Sequence, residues 1–407
     1  MTRPTVGRVL LLERDLWVNR TSLAAARSLG AAGWVVGIGS PTRGPVAHSR
    51  WVRHQHLVPS PAEGLEPFVT AVKEAVQVVG YDIVFGGGDA EVMALAATRD
   101  AYSARVPYPD AAVTNRAFDK LASVDAAVAS GLAVPMTWPC TDEAIAAVDR
   151  PVMLKARLHW TPGSQSPSTR VEPAIVRSPD EARFRAMAMR AAGADPFFQE
   201  LVPGGYKISY IVLISPSGEV WAQHQQWTRR TWPPDSGHDT RGETMPVDLA
   251  LANRSVAFLR RLGWYGLSHL EFAVSPEGEP RLIDFQGRFY GSQALATRAG
   301  VDYPALWARA ILDGWPAEAR PDPPVTALTG VRYIRSQSDL MRAFSERRGG
   351  IAGELVGYAR YRPGAVGSLW STRDPAPVAY WILNVGRVLS GRLGTLARRR
   401  IRRRPVA

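Results

Sequence analysis

The first hundred residues alternate strand-like and helix-like stretches, and no other feature of the chain restricts its fold as much. The run Val9-Leu10-Leu11-Leu12 lies inside a strand-like stretch from Val6 to Glu13 and shows no polar alternation. A strand that reads this way is buried on both faces, as in parallel sheets covered by crossover helices. A helical pattern from Thr21 through Leu29 follows, ended by Gly30 and Gly33, and Trp34 to Gly39 supplies the next strand. Tyr81 to Phe85, the turn Gly86-Gly87-Gly88-Asp89 and a helix from Glu91 to Thr98 make a further strand–helix unit. The alternation predicts a parallel, Rossmann-like first domain ending near Pro107. The triple glycine lacks the spacing of a dinucleotide fingerprint. Its simpler reading is a tight turn in which Asp89 caps the next helix. Its sharper reading puts Asp89 or Glu91 at a cleft, since ligands collect beyond the carboxyl ends of such strands.

The chain has 407 residues, more than one hydrophobic core usually supports, so two or three packed sub-domains are expected. Asp119-Lys120 starts a helix running through Val128, and Pro151 to Lys155 is a compact strand. Leu158 to Val171, rich in Gly and Ser, reads as a loop. Phe197 to Val202 is a strand closed by Pro203-Gly204-Gly205, Ile208 to Ile214 continues after it, and Trp227 to Asp239 reads as irregular. Pro-rich linkers from Pro321 surround a strand at Val331 to Ile334. No apolar run is long enough for a transmembrane helix. The single cysteine, Cys140, excludes an internal disulfide, reads as a core or surface thiol, and fits a reducing cytoplasm. The net charge of +12 is concentrated near the end, in Arg387, Arg392, Arg398 to Arg400 and Arg402 to Arg404. The body is then only mildly basic, which gives no ground for a sequence-specific nucleic-acid reader. The basic tail, residues 387–407, reads as a solvated segment, with contact to an anionic surface as the second reading.

Ser275-Pro276-Glu277-Gly278-Glu279-Pro280 is hairpin chemistry between two strands, Ser268 to Val274 and Arg281 to Gln286. A two-residue turn at Glu277-Gly278 sets Glu271 opposite Asp284 and puts Gln286 and Arg288 on the same face. Phe272, Ile283 and Phe285 then point away. Like charges facing each other on a sheet are destabilising. Either the pair faces water on a surface hairpin, or it holds a cation, for which hard oxygen ligands suit Mg²⁺.

Glu271 followed by Asp284-Phe285-Gln286-Gly287-Arg288 and Phe289-Tyr290-Gly291-Ser292 resembles the metal-binding end of ATP-grasp enzymes. Asp119-Lys120 resembles the helix start that precedes their ATP-binding region. Lys155, ending Val152-Met153-Leu154, resembles their phosphate-contacting lysine, and Gln199-Glu200-Leu201-Val202-Pro203-Gly204 resembles their adenine-holding hinge strand. The resemblance spans residues from about 5 to 315 in order. Gln286 stands where the family usually has Asn, Gly287 replaces a frequent Pro, and Lys207 lies where many members carry an acidic ribose ligand. The loop after Lys155 lacks a true glycine-rich run, which leaves phosphate coverage weaker or dependent on Arg157 and His159.

The resemblance implies an α/β chain with an ATP-grasp fold. Its expected parts are a Rossmann-like pre-ATP-grasp domain (1–107), an ATP-grasp domain (108–320) with a small lid (about 137–200) and a larger catalytic α+β portion, and a C-terminal extension (321–386). It implies ATP and Mg²⁺ as cofactors. Lys155, Glu200, Leu201, Val202 and Lys207 would hold the nucleotide, Glu271, Asp284 and Gln286 the metal, and Arg288 with Lys155 would serve catalysis. Arg229 and Arg230 are a second candidate cluster for anions. The implied reaction is ATP-dependent ligation of a small-molecule carboxylate to an amine through an acyl phosphate. Its rivals are a carboxylase-like enzyme making carboxyphosphate and a nucleotide-binding module without turnover.

Overall fold

The computed structural model describes residues 5–13, 19–160, 172–202, 206–233, 237–346 and 350–383. The Gly163-Ser164 loop, Pro203-Gly204-Gly205 and the basic tail lie outside the described residues.

Four strands, β1 (Arg8–Leu12), β2 (Val35–Ser40), β3 (Val52–Leu57) and β4 (Ile83–Phe85), form a wholly parallel sheet in the order β3-β2-β1-β4. The apolar run of β1 sits in the interior of this sheet, and Val9 to Leu12 are buried, as its lack of alternation requires. The intervening helix, Arg20–Ala31, is capped by Asn19, whose Oδ1 accepts from the Ser22 amide at 3.1 Å. The sequence reading missed β3, Val-Arg-His-Gln-His-Leu, because an edge strand paired on one side tolerates exposed polar residues.

A second sheet, all antiparallel, orders β5 (Thr137–Pro139), β6 (Val152–Ala156), β7 (Ala174–Val176) and β8 (Pro196–Glu200) as β5-β8-β6-β7. Helices Asp142–Ala146 and Pro179–Ala191 cover it, and it has its own small core of Ile145, Val152, Leu154, Val176, Ala182 and Phe198. Cys140 belongs to this core, and burial raises its pKa.

The third sheet comprises β9 (Tyr206–Ile214), β10 (Val220–Trp232), β11 (His238–Met245), β12 (Gly266–Val274), β13 (Pro280–Gln286), β14 (Val325–Thr326), β15 (Arg332–Ile334) and β16 (Val366–Gly367). They run β13-β12-β9-β10-β11-β15-β16, with β14 beside β10. The stretch expected to be irregular, Trp227 to Asp239, is mostly the paired ends of β10 and β11. Register shifts between Thr228 and Thr231 disturb its alternation, which is why period-two patterning failed to reveal it.

Trp264 and Trp307 are buried, the latter against Phe85 with ring centroids 4.9 Å apart. Trp315 is half-buried against Trp221, and the Tyr265 hydroxyl donates to the Tyr108 carbonyl at 2.7 Å. All four thus serve packing, as expected for large aromatic side chains.

The C-terminal segment is fastened by buried carboxylates. Asp339, in the helix Ser336–Glu346, pairs with Arg241 at 2.8 Å and Arg230 at 3.5 Å, and Glu354 takes Arg230 at 2.8 Å. Asp374 reaches the parallel-sheet unit, accepting from Arg27 Nε and Ser49 Oγ at 2.8 Å each and from the Arg50 amide at 2.9 Å.

Candidate active site

Glu271 and Asp284 do face each other across the β12–β13 ladder, by a route different from the expected one. The turn holds three residues, Pro276 to Gly278, with Gly278 at φ +87° and Ser275 paired to Glu279 by a 3.1 Å hydrogen bond. A three-residue loop closing on a left-handed glycine is a common hairpin form. It shortens the register by one, so Phe272 pairs with Leu282. A bulge at Ile283 then restores it. Ile283 therefore has no ladder partner, and its carbonyl accepts from Lys155 Nζ at 2.8 Å.

Donors already surround the carboxylate pair. Gln286 Nε2 donates to Glu271 Oε1 at 3.0 Å and Asp284 Oδ2 at 3.4 Å. Lys120 Nζ donates to Asp284 Oδ1 at 2.6 Å. Lys120 begins the helix Lys120–Val128, capped by Asp119, which also binds Arg157 Nε through both oxygens at 2.9 Å. Burial alone would raise the Asp284 pKa, but the charges of Lys120, His159 and Lys155 hold it well below the carboxylate range. Lys155, inside β6 and buried, is pushed down to about 8 by desolvation, with Lys120 and Lys207 adding repulsion against the pull of Asp284 and Glu271. Among the described residues no group of three His, Cys, Asp or Glu side chains could hold a metal. What the chain offers a hard cation is two carboxylates and, if its amide turns, the Gln286 oxygen.

A cleft open at its mouth lies between the second sheet and the hairpin. Phe118, Val134, Phe197, Leu282 and Phe285 give it apolar walls, and Lys155, Gln199, Lys120 and Asp284 give it polar lining. Gln199, buried on β8, lines this cleft, whereas the Glu200 carboxylate accepts from the Met136 amide and Arg281 Nη1 at 3.2 Å each. Leu201 and Val202 follow β8 and are half-buried. Lys207 starts along β9, its Nζ 3.4 Å from the Gly237 carbonyl.

Arg288 is buried and engaged, donating from Nε to Asp89 Oδ1 at 2.6 Å and from Nη1 to the Phe289 carbonyl at 3.1 Å. The other Asp89 oxygen meets His159 Nδ1. Asp89 does not cap its helix as the simpler reading held: Gly88 is the cap and makes no side-chain bond. The Asp89 carboxylate instead reaches across to Arg288, which ends the hairpin run, and neither side chain lines the cleft described above. Arg229 and Arg230 form no anion site; Arg229 stacks 3.9 Å over Trp227 and pairs with Glu243, and Arg230 holds Asp339 and Glu354. His238 is exposed on β11. The contact of Lys120 with Asp284 was missed, since Lys120 reaches the hairpin from an element more than a hundred residues earlier, and His159 lies against Asp89. His269, paired with Gln286 one step along the ladder, was missed too. It is buried with its Nδ1 3.9 Å from Glu271 Oε1, and only the alternation of β12 signals it.

No family model matches the chain, and no curated protein matches it in sequence. Solved structures do match it. The ADP complex of an N5-carboxyaminoimidazole ribonucleotide synthetase is 17% identical over 77% of this chain and 78% of its own, with a TM-score of 0.55. An L-amino acid ligase from Bacillus licheniformis is 13% identical over 78% of each chain, with a TM-score of 0.58. A biotin carboxylase from Campylobacter jejuni is 13% identical over 76% of this chain and 71% of its own, with a TM-score of 0.57. Likeness at such identities speaks for architecture alone, and by architecture the chain has the ATP-grasp fold.

Proposed function

We propose that the protein is an ATP-dependent ligase that activates a small-molecule carboxylate and joins it to an amine. One observation carries the reading: two carboxylates face each other across the hairpin, and the one that lines an apolar-walled cleft, Asp284, takes Lys120 directly, with Lys155 on the neighbouring Ile283 carbonyl. The fold's solved members named above include a synthetase bound to ADP and an amino acid ligase. The apolar walls suit an adenine, with the β8–Val202 backbone at its edge, and Lys155 and Lys120 suit the phosphates. Glu271 and Asp284 would hold Mg²⁺, which normally takes one or two carboxylates and completes its shell with phosphate oxygens and water. When bound, it would neutralise charge on the transferring phosphoryl group.

The chain's own residues then divide the work. Lys155, still an ammonium at neutral pH, opposes negative charge that builds on the transferred group, in a site dry enough for the charge to count. Arg288 offers a planar fork to a substrate carboxylate or acyl phosphate, and Asp89 orients that fork. The apolar walls keep water from the activated acyl group.

A second reading, a nucleotide-binding module without turnover, draws on the Gln286 amide and Lys120, which already satisfy the carboxylates. Pools of amino acids and other small acids, screened for stimulated ADP release with Mg-ATP, decide between the two. The ligase reading expects ADP release that needs both an acid and an amine, with an amide product detectable by mass. ADP release dependent on bicarbonate points to the carboxylase-like alternative, and no ADP with any pool removes the enzyme reading.

A further inference from the structure

Interior arginines in this protein are generally answered by carboxylates: Arg27 by Asp374, Arg241 by Asp339, Arg230 by Glu354, Arg288 by Asp89. Arg20 and Arg335 break that pattern. Arg20 opens the helix Arg20–Ala31 in the parallel-sheet unit, and Arg335 directly follows β15 in the C-terminal segment. Both are half-buried, and neither has an acidic partner among the described residues. The Nε of each is buried without a hydrogen-bond partner there, and Arg20 donates only to the neutral Gln337 side-chain oxygen. Arg20 reaches Gln337, two residues beyond Arg335, which brings the two guanidinium groups into each other's field. Burial first, and then the charge of Arg335, push the Arg20 pKa down to about 10. Two cations held together in a partly dry site repel each other, and an anion between them turns that cost into attraction.

Independent features place the pair at a ligand site. A Cβ on Gly291 would lie 2.8 Å from Arg335 Nη2, so this guanidinium closes on the end of the Asp284–Ser292 run and a side chain there would push it aside. That end is held still: Tyr333 Oη donates to the Gly291 carbonyl at 3.0 Å, and Gln226 Nε2 to Ser292 Oγ at 2.9 Å. Asn19 is only 2% exposed; its Oδ1 caps the helix while its Nδ2 has no partner among the described residues. The twelve-residue helix it caps has no acidic residue in its first turn to answer its positive end.

We propose that Arg20, Arg335 and Asn19 form a subsite for an oxyanion, phosphate or carboxylate, carried by the substrate in addition to its reacting group. This rests on the ligase reading for the identity of its ligand: the substrate is anionic at two places, one processed beside Asp284 and Arg288, the other gripped beyond Gly291. Arginine forks match both phosphate and carboxylate oxygens in paired hydrogen bonds.

The test uses the full chain without nucleotide, with inorganic phosphate and acetate as separate probes at ionic strength matched with NaCl. Phosphate, acetate or both should raise the melting temperature, and whichever does identifies the kind of group the substrate carries. Arg20→Met and Arg335→Met should each lose that rise while melting at or above the parent without ligand, because the repulsion is gone. Arg335→Lys keeps the charge without the fork and should weaken the anion about tenfold. Lys155→Ala should keep the rise, since its ammonium serves the nucleotide. A rise that persists in both Met variants, one lost in Lys155→Ala alone, or no rise with either anion overturns the subsite. Anion binding in a protein that turns over no ATP supports the subsite and removes only the ligase reading. ATP turnover in a protein indifferent to both anions removes only the subsite.

Discussion

Lys155 is a cation in a place that disfavours cations. Its pKa falls to about 8 because burial strips its water, with the repulsion of Lys120 and Lys207 set against the help of Asp284 and Glu271. An unfolded lysine keeps its proton to about pH 10.4. Between about pH 8 and 10.4 the unfolded chain therefore binds more protons, so this residue's penalty is complete below about pH 8 and fades as pH rises. The cost at neutral pH is roughly 3 kcal/mol. Lys155→Met should stabilise the unliganded protein at pH 7 by a large part of that amount, less the lost bond to the Ile283 carbonyl, while weakening ATP binding. The gain should shrink in denaturant titrations repeated near pH 10, and a gain independent of pH would mean the ammonium is not strained. The spacing of Val152-Met153-Leu154-Lys155 made this lysine legible in the sequence. Its neighbour Lys120 was not, because what brings it to Asp284 is the packing of separate elements and no local pattern records that.

At the scale of the element, the β12–β13 hairpin shows a correct pairing reached through two compensating errors. Turn residues announced the hairpin, but the three-residue loop and the bulge at Ile283 each shift the register by one, in opposite senses. Alternation cannot reveal a bulge, because the extra residue looks like the next step of the strand. The two carboxylates also differ in their surroundings. Asp284 answers Lys120 directly and Lys155 through the field, whereas Glu271 takes the Gln286 amide, has His269 at 3.9 Å and pulls on Lys155 more weakly. Asp284→Asn should thus cost the unliganded protein about 2 kcal/mol by stranding a partly buried lysine. Glu271→Gln should be neutral or slightly stabilising, since it removes a facing like charge. Both should abolish the roughly 2–4 kcal/mol that saturating Mg-ATP contributes by mass action. Melting curves with and without Mg-ATP read both effects, and an unchanged ligand-induced shift in both variants would sink the metal-site assignment.

Across the whole molecule, the parallel strands were legible because burial on both faces leaves an unbroken apolar run. The edge strand β3 and the bulged ends of β10 and β11 were not, since neither carries a clean period. The C-terminal segment was visible as a change in composition, but not its attachment. Asp374 is 1% exposed and answers one guanidinium, one hydroxyl and one amide of the parallel-sheet unit. Asp374→Ala would leave those donors facing a void and should cost about 3 kcal/mol, seen in denaturant unfolding and as faster proteolytic release of the segment. Equal stability and equal protease resistance would show that the segment is held by other contacts.

The same attachment bears on how the protein is made. Arg27 and Asp374 are 347 positions apart in the chain. At ribosomal speeds of roughly 5–20 residues per second, Arg27 emerges tens of seconds before its partner exists. Over that interval the nascent parallel-sheet unit lacks this contact, which forms only after residue 374 has emerged.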